Sequence, residues 1–292
     1  MEMKEFADKV CKAVQRQLGE AYQVELQEIK KNNGIVLHGL IILPQGRNVA
    51  PMIYLETFLE DYHSGTTFSA VIHRLISLYW KNAPGDGVEV KFFGSFENVR
   101  DRICYRLVGR RRNEKMLRDM PHIEFLDMAI CFYYAYCGEQ LGEGMIPVFN
   151  CHLEMWKTST AELYRLAQEN TPRLYPWVCD SVGSMLDWEE GDVFLDEIPM
   201  KILTNNKRNH GAAALIYPHV LEAVTEQGAK GYYIFPCSVH EVILAADIGM
   251  GTAEEFKQMI VDINDTQLPL DEVLSDSLYY YDTAEKRIKI IF

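Results

Sequence analysis

The sequence predicts an α+β protein. Its sheets are expected to be largely antiparallel or mixed, built from successive hairpin-plus-helix units, with the helices packed on one face. Three observations carry this expectation. Short apolar runs come in pairs separated by turn residues, and amphipathic segments of helical period follow the pairs. The patterns GxGxxG, GxxxxGK[ST] and GxSxG, which mark the common nucleotide-binding and α/β-hydrolase folds, are absent, as is the HExxH of metalloproteases.

In the first third, residues 3–18 place Phe6, Val10, Ala13, Val14 and Leu18 on one helical face. Tyr22, Val24 and Leu26 then alternate as a strand. Asn33-Gly34 is the strongest short hairpin signal in the chain, because both residues accept the positive φ that a tight turn needs. The returning strand, Ile35 to Leu43, is almost continuously apolar, as in a strand covered on both faces. The run PMIYLETFLEDY reads as extended chain. Gly65-Thr66-Thr67 opens a helix with Phe68, Ile72, Leu75 and Tyr79 on one face, and NAPGDG breaks it. VEVKFFGSF reads as another short strand.

The rest of the chain repeats one pattern three times. FLDMAICFYYAY is a strand, CGEQLGEG a turn and MIPVFNCHLEMW a returning strand. A helix follows, opened by the capping pair Ser159 and Glu162. After the acidic loop DWEEGDVFLDEIP, MKILTN and GAAALIY read as strands around the turn NKRNH. Pro218 opens a helix that Gly228 closes. GYYIFP and VHEVILAAD are then strands around a tight Cys237-Ser238 corner. Thr252 and Glu255 cap the last helix, with Phe256, Met259, Ile260 and Ile263 inward. The C-terminal LYYYDTAEKRIKIIF is a hairpin.

Charge suggests the domain organisation. Residues 100–118 carry eight Arg or Lys against two acidic residues, in a chain of net charge −13. A soft boundary near residue 120 gives an N-terminal lobe, 1–119, and a C-terminal lobe, 120–292. The acidic total disfavours nucleic acid and anionic lipid as whole-chain partners. Seven cysteines, an odd number without a CxxC pair, read as free thiols of a reducing compartment and not as a disulfide framework. The opening MEMKEFADKV lacks the apolar core of a signal peptide, and no apolar run is long enough for a membrane span. A cytoplasmic, soluble protein without a cofactor or a metal is expected.

Candidate site residues concentrate in residues 204–241. A thiol or hydroxyl nucleophile needs a nearby base, and Cys237, Ser238, His240 and His210 offer both, with Glu241 alongside. Residues three apart on extended chain face opposite ways, so Cys237 meets His240 only if the corner is sharply bent. Asn205, Asn206 and Asn209 read as turn residues or, with Glu241, as ligand-binding groups at a sheet edge. In the basic segment, Arg106, Arg110, Arg111 and Arg112 are the candidates for a polyanion strip. The alternatives are that they neutralise the protein's own carboxylates or contact a partner protein or sister subunit.

Several segments taken together resemble a known family. They are NNGIVLHGLII with APMIYLETFLEDYHSG, PHIEFLDMAICFYY with EMWKTSTAELYRLAQENTPRLYP, and ILTNNKRNHGAAALIYPHVL with YYIFPCSVHEVILAAD. They resemble a bacterial domain of unknown function found in Gram-positive anaerobes, over roughly residues 20–290. The resemblance implies a bacterial cytosolic origin and brings no catalytic residue. The sequence therefore points first to a non-enzymatic binding or interaction protein with a protein partner. The alternatives are a hydrolase or transferase centred on residues 204–241, and a polyanion binder through residues 100–118.

Overall fold

The structure is a computed structural model that describes residues 1–47, 50–82, 91–138, 142–181, 199–225, 229–249 and 251–292. Among the described residues it is an α+β fold with three antiparallel sheets. Contacts group the chain into two compact units, residues 1–91 with 137–144, and residues 92–136 with 145–292. Contacts and charge thus divide the chain at different places.

The first unit begins with α1, Met3–Leu18, which buries Phe6, Ala7, Val10 and Val14. The strands β1, Tyr22–Lys30, and β2, Val36–Pro44, pair from Tyr22↔Pro44 to Lys30↔Val36. Asn33 and Gly34 take φ of 58° and 74° at the turn, as the Asn-Gly signal predicts. A third strand, β3, Met52–Tyr54, forms the other edge of the sheet, in the order β1-β2-β3. Here the expectation of extended chain over PMIYLETFLEDY holds for its first part only. Residues Glu56–His63 form α2, because Leu55, Phe58, Leu59 and Tyr62 recur at helical spacing, and Leu55 and Phe58 are buried. The helix α3, Phe68–Asn82, completes the core with Val71, Ile72, Leu75, Ile76 and Tyr79.

The second unit opens differently from the sequence reading. Lys91–Gly94 is a 3-10 turn and Phe96–Val99 a short helix, α4, where the later part of the expected strand VEVKFFGSF falls; its residues 88–90 lie outside the described residues. The basic segment then enters β4, Ile103–Gly109. Next come a one-turn helix, α5, Glu114–Leu117, and strands β5, His122–Phe125, and β6, Met128–Gly138. β6 is the middle of a sheet ordered β4-β6-β5, with β7, Gly142–Pro147, also paired to β6. The expected returning strand ends there. Asn150–Trp156 is a helix, α6. Its ring face packs on Phe93, with centroids at 5.1 Å from both His152 and Trp156. The helix α7, Thr160–Leu174, starts at Ser159, whose hydroxyl accepts from the Glu162 amide at 3.2 Å. It packs on β4 through satisfied polar groups: Tyr105 N donates to Thr171 Oγ1 at 3.2 Å, and Asn170 Nδ2 to Ile103 O at 3.0 Å.

The remaining strands are β8, Trp177–Ser181, β9, Met200–Asn205, β10, Gly231–Phe235, β11, Val242–Ala246, β12, Tyr279–Asp282, and β13, Arg287–Ile290. They form one sheet in the order β13-β12-β10-β11-β9-β8. The middle hairpin of the expected repeat does not exist. Gly211–Ile216 is a 3-10 helix packed against β9 and β4, with Gly211 through Leu215 buried. Alanine is a poor strand former, and three in a row let this segment approach its neighbours closely. A short helix, α8, Val220–Val224, follows the left-handed His219. The capping box of α9, Ala253–Thr266, is complete, with Thr252 Oγ1 accepting from the Glu255 amide at 3.2 Å and Glu255 returning to Thr252 N at 2.8 Å. The acidic loop and Gly228 lie outside the described residues.

One carboxylate ties the two sheets of this unit together. Asp127, in the β5–β6 turn, accepts from Ser275 Oγ at 2.6 Å, from Ser277 Oγ at 2.9 Å and from the hydroxyl of Tyr279. The Tyr279 side chain is fully buried, so its hydroxyl has no water to turn to. Bonds to a charged acceptor are worth about 1.5–3 kcal/mol each, and an orphaned buried donor costs a similar amount. Asp127→Ala is therefore expected to lower unfolding free energy by about 3 kcal/mol in urea titrations. A change below about 0.5 kcal/mol, the size of an ordinary surface substitution, would contradict the tie.

Candidate functional site

The 204–241 stretch is held as a knot of three backbone segments. Gly211 sits where they meet. A Cβ built there lies 2.5 Å from His240 O and 2.6 Å from Asn205 N, so only glycine fits. Around it, Thr204 Oγ1 donates to His240 O at 2.7 Å, and Ala212 N to Val239 O at 3.2 Å. On the other side, Val239 N donates to Glu272 O and Leu274 N to Cys237 O, both at 2.8 Å. An isolated bridge joins Ser238 to Val273. Residues 236–241 are thus a loop clamped between two segments, and β11 begins only at Val242.

The expected catalytic residues separate into two places. Cys237 lies in an apolar cluster with Phe235, Phe256, Ile260 and Leu278. Burial pushes its thiol up to about 12, which holds it protonated. Ser238, His240 and His210 are brought together, but through the backbone. Ser238 Oγ accepts from the His240 amide at 3.0 Å, and His240 Nδ1 accepts from the His210 amide at 3.2 Å. That bond puts the His240 proton on Nε2, which faces Glu272 Oε1 at 3.8 Å. The two imidazoles lie 5.5 Å apart. His210 takes a left-handed backbone, φ 50°, and burial, the Arg106 charge and His240 together hold its ring down to about 3.

The asparagines divide similarly. Asn205 is buried and completes its own turn. Its Nδ2 donates to Asn209 O at 2.9 Å, and its Oδ1 accepts from Lys207 N at 3.0 Å and Asn209 N at 3.4 Å. Asn206 and Asn209 are exposed on that turn, and Glu241 is half-buried beside the loop.

The arginines do not form one strip. Arg110 pairs with Glu124 at 2.5 Å and Arg112 with Asp276 at 2.7 Å, which is neutralisation by the protein's own carboxylates. Arg111 is exposed on the turn after β4. Arg106 instead points across the sheet to the Cys131 and Tyr133 side of β6, and its Nε is sealed from solvent without an acceptor. Among the described residues no group of three His, Cys, Asp or Glu is arranged to hold a metal ion, and no helix is long and apolar enough to cross a membrane.

A family model described as a family of unknown function, DUF5688, matches residues 3–283. The chain belongs to that family. No curated protein and no solved structure matches it.

Sequence reasoning missed two features of this DUF5688 chain. One is Glu272, the partner of His240, which comes from a distant segment that no local spacing marks; Arg106, a candidate of the basic segment, likewise acts on His210 only through the fold. The other is a groove in the first unit. It has a volume of about 670 Å³ and is lined by Pro51, Met52, Ile53, Tyr54, Thr57, Phe58, Arg74, Leu78 and Asn82. The Arg74 guanidinium lies over the Phe58 ring at 4.9 Å and pairs with Asp61.

Three outcomes follow from this geometry. Gly211→Ala should lower stability by about 1–3 kcal/mol, the usual cost of forcing extra volume into a packed site, and a variant as stable as the parent in urea would contradict the knot. In alkylation followed by mass spectrometry near pH 8, the exposed Cys137 and Cys151 should react while Cys237 stays unmodified until unfolding. Early modification of Cys237 would restore it as a nucleophile. His210 has a folded value near 3 against about 6.5 unfolded, so below about pH 6.5 the unfolded chain binds more protons. Stability is lost as pH falls through that window towards 3. His210→Asn, which tolerates the left-handed backbone, should lose about 2 kcal/mol less than the parent between pH 7 and 4.5. Identical pH profiles would contradict the burial of a neutral ring.

Proposed function

We propose that this DUF5688 protein is a binding protein and that the groove of its first unit receives an extended, apolar segment of a protein partner. The observation that carries this reading is the wall formed by β3. Consecutive residues of a strand point to opposite faces, yet Pro51, Met52, Ile53 and Tyr54 all line the groove. The groove therefore follows the backbone edge of the strand. β3 is the last strand of its sheet, and no strand among the described residues pairs with its outer edge. Such an edge offers unpaired amide and carbonyl groups, and an extended peptide is the ligand that satisfies them.

The opposite wall comes from α3, where Leu78 is flanked by Arg74 and Asn82. Leu78 of α3 lines it and keeps 39% of its surface open. An alternating peptide would lay every second side chain against this wall. The reading as a binder in place of a covalent catalyst is supported by the protonated, packed thiol of Cys237 and by the turn bonds that occupy Asn205 and Ser238. The seven free thiols support the cytosol as the place of action.

Selection of a random peptide display library on the full chain tests this. It should enrich extended sequences of alternating apolar residues, and Leu78→Glu should weaken their binding at least about tenfold, equal to about 1.4 kcal/mol. Failure to enrich such peptides, or binding that survives both Leu78→Glu and Met52→Glu, would overturn the reading.

A further inference from the structure

The sheet of the first unit has two faces, and the helices of that unit pack on one of them. In β2, Leu40 and Ile42 are fully buried, and with Val24 and Ile53 they join the core to which α1 and α3 contribute. Alternation turns the intervening residues the other way. The register fixes which these are. Between β1 and β2, Ile29 stands opposite Leu37, Gln27 opposite Gly39, Glu25 opposite Ile41 and Gln23 opposite Leu43. Between β2 and β3, Gly39 stands opposite Tyr54 and Ile41 opposite Met52. Directly opposed residues share a face, so Ile29, Leu37, Ile41, Leu43, Met52 and Tyr54 form one apolar patch. Two contacts agree with this. A Cβ at Gly39 would lie 2.6 Å from the Met52 sulfur, and the ammonium of Lys31, two residues after Ile29, lies 4.7 Å from the centre of the Tyr54 ring.

Among the described residues, none of these six side chains belongs to or packs against a buried apolar cluster. All six are half-buried. Yet β2 is as apolar on this face as on the helix-covered one, which is the composition of a strand covered on both sides. A contiguous apolar patch left at a surface marks an interaction site.

The charges of the face select its occupant. Along β1 and the residue after it, this face carries one carboxylate, Glu25, and one ammonium, Lys31, with the neutral Gln23 and Gln27 beside them. The face is thus neutral in a chain of net charge −13, whose other surfaces repel a second copy. Its two charges are also self-complementary. A two-fold axis in the plane between two stacked sheets, passing between Glu25 and Lys31, brings each Glu25 to the partner's Lys31, so one symmetry operation makes the ion pair twice. We propose that this face is the contact between two copies of the chain, stacked sheet on sheet as an isologous dimer. Strands of nine residues, three abreast, cover roughly 450 Å², or about 900 Å² for two copies. That is below the standard size of a protein interface, so the dimer is reversible, with a dissociation constant on the order of micromolar. The proposal does not rest on the groove reading. Met52 and Tyr54 serve both, but the stack centres on β2, and Leu78 belongs to α3 on the covered side.

The test is sedimentation velocity of the full chain over a range of about 1 to 200 µM. The parent should pass from monomer to dimer within it. Ile41→Lys, at a half-buried position in the middle of the patch, should weaken the dimer at least about tenfold. Glu25→Lys and Lys31→Glu should each weaken it by about threefold or more, because each sets like charges against each other, and the two together should restore the parent's affinity. Leu78→Glu should leave the dimer unchanged, so loss of peptide binding with an intact dimer removes the groove reading alone. A parent that stays monomeric to about 200 µM would overturn the proposal, whatever else the face binds. A dimer that tolerates Ile41→Lys, or that Leu78→Glu dissociates, would overturn it too. If Ile41→Lys does not fold, the charge exchange decides, and a double variant no better than either single one would overturn the stack.

Discussion

The architecture of the 204–241 stretch depends on the absence of a side chain at Gly211. Three backbone segments close to within contact distance there, and the Cβ of any other residue would fall within 2.6 Å of backbone atoms of both Asn205 and His240. This close approach puts the Thr204 hydroxyl on His240 O and the His210 amide on the His240 ring. It also explains why a segment with so many reactive side chains has the geometry of a joint. Buried polar groups must find partners, and here the nearest partners are the backbone groups of the joint itself. The asparagine, serine and histidine atoms that would otherwise face a substrate are used to hold the loop.

Polar atoms in the second unit mostly obey the same rule. Asp127 collects three hydroxyls from the segment leading into β12, and Asn170 collects the carbonyls of Arg100 and Ile103. The Nε of Arg106, the Nδ1 of His210 and the Oδ1 of Asn264 depart from it. The hydroxyl of Tyr105 is also buried without a partner, but it lies among the rings of Tyr164 and Tyr217 and carries no charge. The distinction matters energetically. A neutral hydroxyl left alone costs about 1–3 kcal/mol, while an isolated buried charge costs several times more. Arg106 stays half-exposed, and only its Nε is sealed.

Much of the fold was legible in the sequence where the signal is local. The Asn-Gly turn, the helical spacing of Phe6, Val10 and Val14, and the Thr252–Glu255 box each act within a few residues, and each appears in the structure. The failures share a cause. LETFLEDY, NCHLEMW and GAAALI are short, and over six to eight residues an apolar run cannot tell a buried helix from a strand. What settled them is tertiary: the Phe93 ring under α6, and the narrow space between β9 and β4 for the alanines. The candidate site was legible only as a concentration of residue types. Its actual neighbours, Glu272 and Arg106, lie tens of residues away, and their placement follows from strand order. The groove beside β3 was hidden for the same reason, since its walls come from a strand and two helices that no motif links.

The most direct measurement of this account is native-state hydrogen exchange at the amides that close the joint, those of His210, Ala212, Val239, His240 and Leu274. If these bonds hold the loop as an architectural element, their protection should approach that of the central strands β10 and β11, and they should open only with global unfolding. Exchange at the rate of the exposed turn at Asn206–Asn209 would contradict it. The stretch would then be a mobile loop whose histidines are free to meet a substrate.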